Sequence, residues 1–110
     1  MDKSEAVDAL GALSQASRLD AFTLLVRHVP AGLPAGEVAR LLDVPQNTMS
    51  THLAVLQRAG LVQTERQGRS IIYRADLDRL RALMLFLVKD CCGASAYLAR
   101  PLVADLGLCC

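Results

Sequence analysis

The spacing of apolar residues changes period at Gly60, and that change constrains the fold more than any other feature of the chain. Before it, apolar residues recur every three to four positions, as on the buried stripe of an amphipathic helix. After it come Leu61-Val62-Gln63-Thr64-Glu65-Arg66 and Ser70-Ile71-Ile72-Tyr73-Arg74, short runs rich in branched residues that read as strands. They flank Gln67-Gly68-Arg69, which reads as a hairpin turn with the glycine supplying a positive φ.

Upstream of the switch, residues 4–13 predict a first helix, with Ser4 as N-cap and Ala6, Leu10 and Leu13 on one face. Ser17 starts a second helix that turns Leu19, Phe22, Leu25, Val26 and Val29 inward and ends at Pro30 and Gly32. Leu33-Pro34-Ala35-Gly36 opens a third, short helix through Leu42, burying Val38, Leu41 and Leu42. Asp43-Val44-Pro45 breaks the pattern, and a fourth helix runs from Gln46 to Ala59 and stops at Gly60, a favourable C′ residue. Beyond the hairpin, Asp76 or Asp78 caps a last long helix reaching about Cys92.

Composition agrees with this order. Twenty leucines and sixteen alanines favour helices, because unbranched side chains lose little freedom there. A 53% hydrophobic content excludes disorder. The 110 residues make one ordinary domain, residues 1–110, whose tail from about residue 91 is rich in thiols. The apolar run from Leu83 to Val88 is far too short to span a membrane. The charged start Met1-Asp2-Lys3-Ser4-Glu5 has no apolar segment behind it, so no signal peptide and a cytoplasmic location are expected.

Two helices joined by a tight turn, the second followed by a β-hairpin, make a winged helix-turn-helix, mainly α with a β-hairpin wing. Met49, Leu53 and Leu56 lie on one face of the fourth helix and would pack on the domain. Gln46, Asn47, Ser50 and Thr51 point the other way with Thr48 in the same turn, short hydrogen-bonding side chains suited to base edges or phosphate. His52 lies alongside, either as a phosphate contact or as a partly buried imidazole. Net charge is only +1, yet between Arg58 and Arg74 four arginines face a single acid, Glu65. Of these, Arg66 and Arg69 sit near the hairpin tip, where flanking phosphates or the minor groove would be met. The expected partner is double-stranded DNA, with no membrane role.

The run Val38-Ala39-Arg40-Leu41-Leu42 through Gln46-Asn47-Thr48-Met49-Ser50-Thr51-His52-Leu53-Ala54-Val55-Leu56 resembles the ArsR/SmtB family. So do Ala59-Gly60-Leu61-Val62, the wing from Glu65 to Tyr73 and the opening Ala12-Leu13-Ser14-Gln15-Ala16-Ser17-Arg18-Leu19. The resemblance implies a homodimeric repressor that leaves its operator when an inducer, usually a metal or metalloid, binds. Two of the family's sensor sites have no counterpart. The Cys-x-Cys-Asp position of the third helix reads Gly36-Glu37-Val38-Ala39, and the last helix carries no histidine, the chain's two being His28 and His52.

What remains is thiol chemistry. Cys91, Cys92, Cys109 and Cys110 form two adjacent pairs, which in a reducing compartment are metal-binding or redox thiols rather than structural disulfides, or else small packed hydrophobes. Asp90-Cys91-Cys92-Gly93 resembles an arsenic-responsive subgroup with a Cys-Cys pair after the last helix. That subgroup has a third cysteine a few residues later, where this chain has Tyr97, Leu98 and Ala99, so Cys109 or Cys110 would have to complete the set. Thiolates suit As(III), a soft ion, as inducer, and also Cd or Pb. Oxidation or persulfidation of the same pairs is the alternative. A metalloid carrier with no DNA role is a further reading, and an enzyme is not expected, since no Cys-x-x-Cys or nucleotide loop is present. Leu77, Leu80, Met84, Leu87 and Cys91 recur as a seam on the last helix, the expected dimer contact.

Overall fold

The computed structural model describes residues 1–89 and 105, and within them the element order is that of a winged helix-turn-helix. Helices α1 (Lys3–Leu13) and α2 (Ala16–Arg27) precede a two-residue strand β1 (Leu33–Pro34). Helices α3 (Ala35–Leu42) and α4 (Gln46–Arg58) follow, then strands β2 (Val62–Gln67) and β3 (Ser70–Ala75) and helix α5 (Leu77–Leu87).

The core forms where α2, α3 and α4 meet the base of the hairpin. Leu25, Val38, Met49, Leu53, Leu56, Leu61 and Val62 are its largest fully buried side chains. Each contributes about 1.5–3 kcal/mol by leaving water. The inward stripe expected for α4 is the one observed. In the other helices several leucines expected inside are exposed: Leu10 on α1, Leu19 on α2 and Leu41 on α3. Ala6, Ala9 and Ala12 make the buried stripe of α1, and Leu24 and Ala39 are buried in α2 and α3. A stripe of alanines leaves a helix's backbone near its neighbour, whereas spacing arguments weighted by leucine select another face.

Helix α1 starts one residue earlier than expected. Its N-cap is Asp2, not Ser4: Asp2 Oδ1 accepts from Glu5 N at 2.8 Å while Glu5 Oε1 accepts from Asp2 N at 3.0 Å. This reciprocal pair satisfies two first-turn donors, which Ser4 inside the helix does not do. Leu33 and Pro34, expected to open α3, form β1 instead, pairing with Tyr73 and Ile72 of β3. A residue before proline is pushed out of the helical region, and proline, lacking an N–H, belongs on a sheet edge. Gly32 permits that approach, since a Cβ there would lie 2.6 Å from the Tyr73 carbonyl oxygen.

The sheet is antiparallel in the order β1-β3-β2. Gln67 pairs with Ser70, so the loop is the two residues Gly68-Arg69, shorter by one than the expected turn. Gly68 has φ 63° and Arg69 does not share the positive φ, which is the type II′ pattern. At the other end, Asp76 N donates to Leu61 O at 2.8 Å and closes the hairpin base.

Asp76 also caps α5, its side chain accepting from Arg79 N. The helix ends at Leu87, short of the expected Cys92, and Val88 is its C-cap. Only Leu83 is buried on it, while Leu80 packs against the chain's own core. Leu85 and Leu87 are 56% and 55% exposed, and on α1 Val7 is 58% exposed. No helix among the described residues is long and apolar enough to cross a membrane.

Candidate nucleic-acid interface

Helix α4 begins after a sharp stop. Asp43 adopts the left-handed conformation at φ 54° and its N–H, with that of Val44, closes on the last carbonyls of α3. Pro45 follows as the N-cap of α4 and offers no side-chain acceptor to the first turn. A helix N-terminus with free N–H groups at the surface is a fitting place for phosphate.

Of the residues expected to read DNA, Gln46, Asn47, Thr48 and Thr51 are exposed and Ser50 is half-buried. They lie in the first turns of α4, opposite the buried Met49, Leu53 and Leu56. The Gln46 amide lies beside Gly36 of α3, where an added Cβ would touch it at 3.5–3.6 Å. Asn47 Oδ1 accepts from Thr48 N at 2.9 Å, and the Thr51 hydroxyl donates to Asn47 O at 3.2 Å. His52 is half-buried, and its Nδ1 is buried with no partner among the described residues. Of the two sequence alternatives, partial burial is observed.

The wing is held to this helix from its far end. Gln57 Nε2 donates to Thr64 Oγ1 at 3.4 Å, so the strand face carrying Thr64 turns toward α4. Alternation puts Arg66 on that same face and Glu65 on the other. Arg66, Arg69 and Arg58 are exposed and make no ion pair or hydrogen bond through their side chains with the described residues.

Arg74 is different. Its Nε donates to Pro30 O at 2.7 Å and its guanidinium pairs with Glu65 at 3.1 Å. The Gln67 amide and then Arg74 hold the Glu65 carboxyl below the usual carboxylate range. One arginine and the one acid of this stretch are therefore spent on each other inside the wing. The cations left for a polyanion are Arg58, Arg66 and Arg69, a distinction that counting charge along the chain does not make.

Gly60 and Arg79 form a junction that sequence reasoning saw only in part. Gly60 ends α4 at φ 82°, with its own N–H bonded to Gln57 O and that of Leu61 to Leu56 O. A Cβ on Gly60 would lie 2.8 Å from Arg79 Nε. Arg79 in turn donates to Glu5 Oε2 at 2.9 Å, joining α5 to α1 beneath the end of α4. Glycine at the C′ position is legible from the pattern, whereas the arginine that fills its empty side is not.

Cys91, Cys92, Cys109 and Cys110 lie outside the described residues. Among the described residues no cluster of three His, Cys, Asp or Glu side chains is placed to hold a metal ion.

A helix-turn-helix domain model matches residues 13–65. The transcriptional activator HlyU of Vibrio cholerae is 29% identical over 94 residues, 86% of this chain and 84% of HlyU. A solved structure of HlyU superposes with a TM-score of 0.65, at 30% identity over 81% of this chain and 96% of that one, and a second is described as reduced HlyU. An ArsR-like transcriptional regulator from Rhodococcus sp. RHA1 is similar at a TM-score of 0.69 and 30% identity, covering 93% of this chain and 90% of the other. A third neighbour, Mb0332 of Mycobacterium bovis, is described as a homodimeric winged helix-turn-helix DNA-binding domain. It has 26% identity over 77% of both chains and a TM-score of 0.65.

Proposed function

Because the chain belongs to the ArsR/SmtB family of winged helix-turn-helix transcriptional regulators, we propose that it is a homodimeric repressor released from its operator by trivalent arsenic held on cysteine thiolates. The observation that carries the DNA-binding half is the pairing of the polar first turns of α4 with wing cations on the strand face turned toward it. Gln46, Asn47, Thr48, Ser50, Thr51 and His52 would enter the major groove, with Arg66 and Arg69 on the flanking backbone. Two such heads related by a two-fold axis call for an imperfect inverted repeat. The exposed leucines of α5 and Val7 of α1 support pairing of two copies, because a lone domain would leave them in water.

Arsenic response rests on donor chemistry. Cys91 and Cys92, completed by Cys109 or Cys110, supply soft ligands, and trivalent arsenic takes three thiolates. Bound ion and bound operator would disfavour each other by linkage. A thiol-redox response is the second reading, favoured by the likeness to HlyU, one structure of which is described as its reduced form. Cd or Pb are the remaining ions such a set would take.

The test is an anaerobic anisotropy titration of the protein on its own promoter fragment, with As(III), Cd(II), Pb(II), peroxide and a persulfide donor added in parallel. Release by As(III), abolished in Cys91→Ser and Cys92→Ser while their promoter affinity is kept, is the expected result. Release by oxidant or persulfide alone would establish the redox reading. Full As(III) release in Cys91→Ser would remove these thiols from the response. A chain cut after Leu108 should repress but respond weakly if the tail pair completes the site.

A further inference from the structure

We infer that Arg58 grips the phosphate strand that divides the groove entered by α4 from the neighbouring stretch of duplex under the wing. The inference rests on the proposed entry of α4 into the major groove and names the contact that joins the helix and the wing on DNA.

The outward face of α4 is set by its backbone. At about 3.6 residues per turn, Asn47, Thr51, Ala54 and Arg58 fall within about 60° of one another around the helix. They stand opposite the buried Met49, Leu53 and Leu56, and all four are exposed. The stripe that begins with Asn47 and Thr51, in the turns proposed to meet the bases, therefore ends on a cation. Ala54 between them offers only a methyl group, which leaves room for close approach. Arg58 lies roughly 16 Å along the axis from Asn47. That exceeds the roughly 12 Å width of the major groove, so Arg58 meets a wall of the groove rather than its floor.

Topology selects which wall. After Arg58 the chain turns into the core: Ala59, Leu61 and Val62 are buried, Gly60 makes the turn at φ 82°, and β2 starts at Val62. The next exposed side chains, Gln63 and Thr64, already belong to the wing, and Gln57 Nε2 meets Thr64 Oγ1 across the junction. A protein with one part in the major groove and the next on the duplex beyond it must straddle the phosphate strand between them. Arg58 is the charged side chain at that crossing.

The two ends of α4 also differ in what they offer a phosphate. The first turn presents free N–H groups and the positive end of the helix dipole. The last turn carries the negative end, and its carbonyls accept from the N–H groups of Ala59, Gly60 and Leu61. A phosphate held there needs a side-chain cation. Arg74 and Arg79 are paired with Glu65 and Glu5, whereas Arg58 has no acidic partner among the described residues.

The test measures anisotropy on the promoter fragment and on random duplex across a salt series, with wild type, Arg58→Ala, Arg58→Lys and Arg66→Ala. A set of promoter duplexes carries a single neutral methylphosphonate in place of each phosphate in turn. Arg58→Ala should lower the salt slope by about one on both DNAs, and Arg58→Lys should keep it. In the wild type, one methylphosphonate on the strand between the α4 and wing contacts should cost about ten-fold in affinity. The same replacement should cost Arg58→Ala nothing further, while Arg66→Ala should still lose affinity to it. The urea midpoint of Arg58→Ala should match that of the wild type. An unchanged slope, a loss of affinity that follows a lowered urea midpoint, or an equal methylphosphonate cost with and without Arg58 would overturn the inference. With Arg66→Ala still flattening the slope, those results leave the DNA-binding reading standing. A wild type that binds no duplex would overturn both.

Discussion

Single residues govern the junction where three helices meet. Gly60→Ala has two costs: a left-handed conformation imposed on an L side chain, and a Cβ 2.8 Å from Arg79 Nε. Together they should destabilise the fold by about 1–3 kcal/mol, seen as a lower urea midpoint at unchanged slope. Glu5 makes the same junction sensitive to acid. Its carboxyl is held below the usual range, first by the Asp2 backbone N–H and then by Arg79. A carboxylate whose pKa is depressed on folding contributes stability that is present above its unfolded value of about 4.3 and lost as pH falls through the folded one. Wild type and Glu5→Gln should therefore differ in urea midpoint at neutral pH, and the difference should shrink as pH falls through the depressed pKa of Glu5. A constant difference across that range would mean that the ionised form adds nothing.

At the scale of elements, the wing divides its arginines between structure and binding. Arg66→Ala and Arg69→Ala should each lower the slope of log affinity against log salt by about one, on operator and random DNA alike. Arg74→Ala should leave that slope nearly intact, because Arg74 is already paired with Glu65 and Pro30 O. Its effect should appear as faster amide exchange in β3, where it fastens the hairpin to the turn that follows α2. An equal salt effect from all three would refute the division.

For the whole molecule, the apolar surface of α5 selects where two copies should meet. Leu85→Glu and Leu87→Glu place charge on side chains more than half exposed in the single chain, so the monomer should stay folded while the dimer dissociates in sedimentation. Operator affinity should fall with it, since one head holds only half of the contacts. Leu80 was expected in the same seam but packs on its own core, so Leu80→Glu should unfold the protein instead. A dimer that survives Leu87→Glu would move the interface off α5.

What the sequence determined by itself was everything written in local periodicity and punctuation. The order of four helices, hairpin and helix, the inward Met49, Leu53 and Leu56, the stop at Gly60 and the glycine of the turn are of this kind, because each depends on residues a few positions apart. The polar residues of α4 and the arginines of the wing were legible for the same reason. Tertiary structure alone decided which leucines face water, since a stripe of small alanines can pack as closely as one of leucines. It also decided that Leu33 and Pro34 become a strand, that Arg74 is neutralised by Glu65 and that Arg79 fills the side left open by Gly60. Those outcomes depend on partners distant in the chain, and pairing across that distance is chosen by packing and charge together, which no local spacing encodes.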